Sequence, residues 1–244
     1  MKNPYKALGI ILSVAGAVMA PVFYYFFMSA PLTAVALSAI ILGLASFFLA
    51  SARPYISPEA SQILLKVGME NTAALLEEIG IRNKAIYLPA KMRNGYPQAI
   101  IPLREDCDLQ SIRNKLPGRL IVRYGPRADD MAIAVTTPGS INLEMLENAP
   151  GPSAYEIEAA IGYILTGVLD IANGVKVDMN DSRVNIEVKN AKMAYEEIWY
   201  YHCLGSPIAS ITAAISSEAL QKPVRIFEEK YHKGKYQIVL EVLS

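Results

Sequence analysis

The stretch ALGIILSVAGAVMAPVFYYFFMSAPLTAVALSAIILGLASFFLASA, residues 7–52, decides what kind of molecule this is. It holds no Lys, Arg, Asp, Glu or His. A loop or surface helix of a water-soluble domain carries polar charge on its wet side, so the stretch reads as two membrane-spanning helices, Ala7–Met28 and Pro31–Ala50. At about 1.5 Å per residue each is roughly 30 Å long, the thickness of a bilayer's hydrocarbon core. Gly9, Ser13 and Ala17 recur at four-residue intervals, as do Ala39 and Gly43, which predicts close backbone approach and a self-packed hairpin over residues 1–52. Pro21 is expected to kink the first helix.

Orientation follows from the flanking charge. Lys2 and Lys6 precede the first span, Arg53 and Lys66 follow the second, and Ser29-Ala30 between them is uncharged. Positive residues stay inside, so both termini are expected in the cytoplasm and the chain in the cell membrane as a two-span protein. Phe23, Tyr24, Tyr25, Phe26 and Phe27 suit the headgroup level at the outer end. A cleaved signal peptide would share the basic start and the apolar run. This run is too long, Pro21 follows the best small-residue site, and a second span comes at once. The spans hold no charged side chain, which argues against a proton relay or an ion pathway built from side-chain charge, so an anchor or an assembly surface is expected.

The remaining residues of the 244 suffice for one ordinary domain or two small ones. Charge balances overall, 23 basic against 23 acidic, yet it is segregated. Residues 82–127 hold ten basic against three acidic side chains, net +7, and residues 128–200 hold four against twelve, net −8. Such asymmetry fits a charged partner or two oppositely charged solvated faces. Cys107 and Cys203 are the only cysteines and neither lies in a C-x-x-C pair, so the expectation is free thiols and no structural zinc.

Ser57-Pro58-Glu59 opens a helix that carries Ile63, Leu64, Val67, Leu75, Leu76 and Ile79 and closes at Gly80, as one helix or as two short ones. Short branched runs follow at Ala85–Leu88, Ala99–Leu103, Leu120–Tyr124 and Met131–Thr136, with turn residues between them and a possible helical turn at Ser111–Lys115. A short helix at Ser140–Glu147 precedes the break Asn148–Pro152, where a boundary separates residues 53–147 from 148–244. Ser153-Ala154-Tyr155-Glu156 is a capping box opening the strongest helix, with Ile157, Ala160, Ile161, Ile164, Leu165, Val168 and Leu169 on one stripe and a stop at Asn173-Gly174. A hairpin follows, in which Val184, Ile186 and Val188 alternate with polar residues. After a helical turn at about Ala191–Tyr201 the order recurs: a helix from Ser206-Pro207 to Leu220, then strands Val224–Glu229 and Tyr236–Val242. The fold class is therefore α+β: a transmembrane hairpin, then a cytoplasmic domain of antiparallel sheet and covering helices containing two α-β-β units. The two hairpins are expected to join into four strands with both long helices on one face.

Candidate chemistry is sparse. His202-Cys203 is the only adjacent histidine and cysteine, but helical neighbours point about 100° apart, so a packed core cysteine is the stronger reading. Asp106-Cys107-Asp108 reads as a surface turn, and Asp129-Asp130 lacks further ligands for a cation, so no metal and no cofactor is assigned. Pro138-Gly139-Ser140 before a helix could offer amides to an anion, without phosphate-loop spacing. The basic series Arg113, Lys115, Arg119, Arg123 and Arg127 is the candidate contact for anionic lipid or a partner. Arg119 and Arg123 share one face of a strand, opposite Leu120 and Val122. No aromatic stacking motif accompanies them, which argues against nucleic acid.

Two resemblances add to this reading. The two leading spans, Glu70-Asn71-Thr72, Tyr87-Leu88-Pro89, Thr137-Pro138-Gly139-Ser140 and Gly205-Ser206-Pro207-Ile208-Ala209-Ser210 resemble a group of archaeal membrane proteins of unknown function over nearly the whole chain. Cys203 to Val242 is similar to the tail of 4-vinyl reductase domains, small-molecule-binding modules akin to Bet-three trafficking subunits. Cys203, Gly205, Glu228 and Gly234 stand near that pattern's Cys, Gly, Glu and Gly, while Tyr231 and Tyr236 stand where its later cysteines would be. The resemblance implies a fold. The functional expectation is a non-enzymatic, bilayer-tethered module for a partner protein or small apolar ligand, with self-association through the hairpin. Its rivals are an accessory subunit of a membrane complex and a thiol enzyme using Cys203 and His202.

Overall fold

The computed structural model describes residues 4–51, 58–94, 99–104, 115–180, 182–193 and 198–243. The chain forms two compact units, residues 1–66 and 67–244.

In the first unit α1 (Pro4–Tyr25) and α2 (Ala30–Ser51) pack as a hairpin. α1 is helical from Pro4, the first described residue, and so covers residues ahead of the expected Ala7. It runs unbroken through Pro21 and stops before Met28, whose φ of 46° turns the chain. Gly9, Ser13 and Gly43 of the four-residue series meet at the seam, and the rest of that series does not. Gly9, Gly16, Ala20, Ala36, Gly43 and Ala50 are buried, whereas Ala17 is exposed and Ala39 half-buried. Seven residues turn a helix through nearly two full turns, while steps of four drift by about 40° each, so the seven-residue series stays on the seam. The approach is close: a Cβ on Gly9 would lie 2.8 Å from the Gly43 carbonyl oxygen, and one on Gly16 2.7 Å from that of Ala36.

α3 (Pro58–Glu78) is one helix, closed by Gly80 at φ 77°. Only part of its apolar side finds a partner. Leu76 is buried with Ile81 in the core, while Ile63, Leu64, Val67, Leu75 and Ile79 are exposed.

The second unit is built on eight antiparallel strands: β1 (Ile86–Tyr87), β2 (Ala99–Pro102), β3 (Ile121–Arg123), β4 (Met131–Val135), β5 (Gly174–Asn180), β6 (Arg183–Lys189), β7 (Val224–His232) and β8 (Lys235–Val242). Their order is β3-β4-β2-β1-β7-β8-β6-β5. The two expected hairpins join through β6 and β8, Val184 facing Leu240 and Ile186 facing Ile238. The strand-rich segment extends that sheet, because β1 covers the β7 edge with Ile86 opposite Arg225 and Tyr87 opposite Val224. The break at 148–152 is thus a loop beside a sheet that draws strands from both sides of it. An uncovered β7 would leave a row of unpaired backbone groups, which favours this closure.

The helices lie on one face. α5 (Ala154–Gly162) carries the predicted Ser153–Glu156 capping box and passes into a π-helical turn, Tyr163–Val168. There the Leu169 N–H donates to the Ile164 carbonyl at 2.9 Å. The extra residue rotates the stripe, so Ile157, Ile161, Ile164 and Leu165 are fully buried and Val168 is exposed. Asp170, at φ 49° and 2.7 Å from the Lys192 ammonium, ends the segment earlier than Asn173-Gly174. α6 (Trp199–Leu204) lies later than the expected connector, and α7 (Pro207–Leu220) is buried almost all round. α4 (Pro138–Asn142) starts two residues early, under a Thr137–Ser140 capping box, and continues as a 3-10 turn, Leu143–Met145. A Cβ on Gly139 would meet the Ser210 carbonyl at 2.2 Å, so glycine lets α4 rest on α7.

Inward-facing Tyr87, Ile101, Val184, Ile186, Val224, Ile238 and Leu240 complete the main core against these helices. On the opposite face, Ile86, Ile100, Val122, Tyr124 and Ala134 form a smaller core closed by Leu116 and Met92. The other half of that face, with Lys176, Asp178, Asn185 and Gln237, is open to solvent.

Candidate functional site

The basic series lies at one end of the sheet. β3 is the edge strand there, and Lys115, Arg119, Arg123 and Arg127 are exposed; Arg113 and the expected 111–115 turn are outside or partly outside the described residues. Val122 and Tyr124 are buried, while Ile121 shares the Arg119 and Arg123 face and is 57% exposed, beside Leu120 at 64%. The strand edge therefore shows both positive charge and apolar surface. Arg123 also has a structural task. Its Nε donates to the carbonyls of Gly125 and Arg127, each at 3.1 Å, and its Nη2 donates to that of Pro126, so it closes the β3–β4 turn. Asp130 supports the same turn by accepting the Arg127 N–H at 2.8 Å, and Asp129 sits 3.6 Å from Arg104. Asp130 thus serves the turn and Asp129 faces Arg104 beyond β2, and no group of three metal-ligating side chains occurs among the described residues.

Cys203 and His202 each face a different neighbour. The thiol is 2% exposed and lies 4.0 Å from the Ile81 carbonyl, and burial pushes it up to about 11. The His202 ring instead stacks on Trp199, 4.7 Å between centroids. The amides at the start of α4 face protein, since the Gly139 N–H donates to Ser210 Oγ at 3.2 Å.

The densest polar constellation is at the start of α7. Gly205 turns the chain at φ 76° and ψ 168°, Ser206 caps α7 by accepting the Ala209 N–H at 3.2 Å, and the Ser206 N–H donates to Glu229 Oε2 at 3.0 Å. A bulge in β7 between Ile226 and Glu228 makes this possible. Strict alternation from Val224 and Ile226 would send Glu228 inward; the added residue sends Glu229 there, opposite buried Ile238. Lys84 fixes the bulge by donating to the Phe227 carbonyl at 2.6 Å. Tyr87 Oη donates to the Leu204 carbonyl at 2.5 Å. Burial raises the Glu229 carboxyl above the usual range, against the opposing Ser206 hydrogen bonds and Lys84 charge, and burial lowers the Lys84 ammonium. Burial likewise raises the Tyr87 and Tyr236 phenols. This constellation holds two helices to a strand and opens onto no described groove. Sequence reading missed Glu229 because the residues around Phe227 carry no glycine or other mark of a bulge.

The described hollows are open and lie on the surface. A groove of about 420 Å³ runs between the 146–151 loop and α5, beside Tyr155, Ala159 and Tyr163. A neighbouring hollow of about 230 Å³ is lined by Leu143, Leu146, Ala90 and Glu218.

These features define a class: an α+β domain of eight antiparallel strands with two N-terminal helices long and apolar enough to cross a membrane. Over residues 2–242 the chain matches the family described as Domain of unknown function (DUF7982), and it belongs to that family. No curated protein and no solved structure matches the chain.

Proposed function

We propose that the protein is a bilayer-anchored, non-enzymatic binding module whose cytoplasmic α+β domain engages a partner protein at its surface. The observation that carries this is the outer face of the hairpin. Ile11, Val18, Ile41 and Phe48 are each at least 60% exposed, an apolar surface that is stable in lipid and costly in water. The hollows described on the second unit are open to its surface, which supports a partner held outside over a small apolar ligand held within. The basic β3 edge, with exposed Leu120 and Ile121, suits an acidic partner surface or anionic headgroups. An accessory subunit of a membrane complex is the same reading with a permanent partner.

The test uses tagged full-length protein in its native membranes. It should resist alkaline carbonate extraction, and in-membrane lysine cross-linking should give one defined larger species that Arg119→Glu with Arg127→Glu removes. Release by carbonate would overturn the anchor, and a cross-link pattern indifferent to the double variant would overturn the proposed contact edge.

A further inference from the structure

At the other end of the sheet from β3 lies β5, and its outer edge is regular over seven residues. In its ladder with β6, Asn180 faces Arg183 across the connection 181–182, and Val177 faces Ile186. Hydrogen-bonded pairs alternate along such a ladder, which directs the N–H and C=O groups of Val175, Val177 and Met179 away from β6, to the outer edge of the sheet. One of these outward groups has been taken. Glu158, reaching over from α5, accepts the Val177 N–H at Oε2, 2.8 Å. A carboxylate set on the middle of an edge strand blocks the approach of another strand there.

We propose that the outer edge of β5 is a pairing surface for β5 of a second copy of this chain, with Glu158 as the plug that holds it shut. Charge complementarity selects both the occupant and the register. An antiparallel pairing about a two-fold axis through Val177 uses the full strand, setting Gly174 opposite the other copy's Asn180 and Val175 opposite its Met179. It also sets Lys176 opposite the other copy's Asp178, twice over by symmetry. Lys176 and Asp178 are both exposed and both lie on the open face of the sheet. Their groups point back to β6, so across the new interface they form non-hydrogen-bonded pairs, where side chains come closest and opposite charges attract. Moving the axis by two residues in either direction shortens the ladder and loses both charge pairs. Val175, Val177 and Met179 face the helix side, so the two cores would run on into each other. β3, the opposite edge, has three residues and offers no comparable ladder.

This surface uses no residue of the hairpin or of the basic edge, so it stands or falls independently of the proposed function. The experiment measures the mass of full-length protein in detergent micelles by sedimentation velocity across a concentration series. Glu158→Ala should tighten self-association at least tenfold over the natural chain, and Glu158→Asp, whose shorter arm withdraws the carboxylate, should do the same if the alanine variant fails to fold. Adding Lys176→Asp should abolish the gain by placing like charges face to face, and adding Asp178→Lys as well should restore it. A natively folded plug variant, judged by Trp199 fluorescence, that associates no more than the natural chain would overturn the proposal. So would a dimer indifferent to Lys176→Asp, which would place the contact elsewhere, such as in the hairpin.

Discussion

Replacing Gly205 by alanine separates two costs that the structure predicts at one atom. The first is conformational. At φ 76° and ψ 168° the residue occupies backbone space that is essentially reserved for glycine, at a cost of about 1–3 kcal/mol for any other residue. The second is steric. The new Cβ would lie 2.4 Å from Ile226 Cδ1 and 3.2 Å from Ala209 Cβ, an overpacking worth about 1–3 kcal/mol. Together they predict a loss on the order of 2–6 kcal/mol, or roughly 5–20 °C in Tm for a unit of this size. Trp199 is the chain's single tryptophan, and its Nε1 donates to the Ile81 carbonyl at 3.0 Å, so its fluorescence follows unfolding of this unit alone. Ile226→Val divides the loss. It deletes Cδ1 and alone should cost about 0.5–1.5 kcal/mol, but in the alanine background it should recover stability by relieving the contact while leaving the backbone cost in place. A Gly205→Ala protein melting within about 1 kcal/mol of the natural chain would refute the reasoning, as would a valine whose cost simply adds.

Two further outcomes follow from buried titratable groups. With a pKa of about 11, Cys203 is thiolate in only about 0.03% of molecules at pH 7.5, so iodoacetamide should leave it unmodified in the folded protein and label it in denaturant, as read by peptide mass spectrometry; labelling of native Cys203 within minutes would contradict its burial. Glu229 is raised in the folded state, so its contribution to stability is full below the unfolded value and declines as pH rises through the folded value. Gln at this position keeps an acceptor for the Ser206 N–H and carries no charge, so Glu229→Gln should melt above the natural chain at pH 8, with the gap closing toward pH 4; a variant less stable at pH 8 would reverse the sign of this account.

Local periodicity carried much of the architecture. The uncharged run 7–52, the Ser153–Glu156 capping box and the alternation of Val184, Ile186 and Val188 are short-range patterns, and each marks an element that formed. What could not be read depends on partners far along the chain. Nothing near Tyr87 announces that it pairs with Val224, and the bulge after Ile226 exchanges Glu228 for Glu229 without any local signal. The hairpin seam was legible in part: Gly9, Ser13 and Gly43 do meet, while Ala17 and Ala39 fall off it, because four-residue spacing marks where small residues sit and the crossing of two helices selects which of them touch. Of the candidate contact residues, exposure of Arg119 and Arg123 was legible from strand alternation; the use of the Arg123 guanidinium to close its own turn was not.

One consequence concerns how the domain would bear load. Among the described residues, the ladders β3-β4-β2 and β7-β8-β6-β5 are joined in the sheet through β1, a strand of two residues. That makes a crease across an otherwise continuous sheet, braced from behind by Ser217, whose hydroxyl donates to the Tyr87 carbonyl at 2.9 Å. If a partner pulled on the β3 end, the first rungs to part would be those at Ile86 and Tyr87, and each half would come away with its own turns intact.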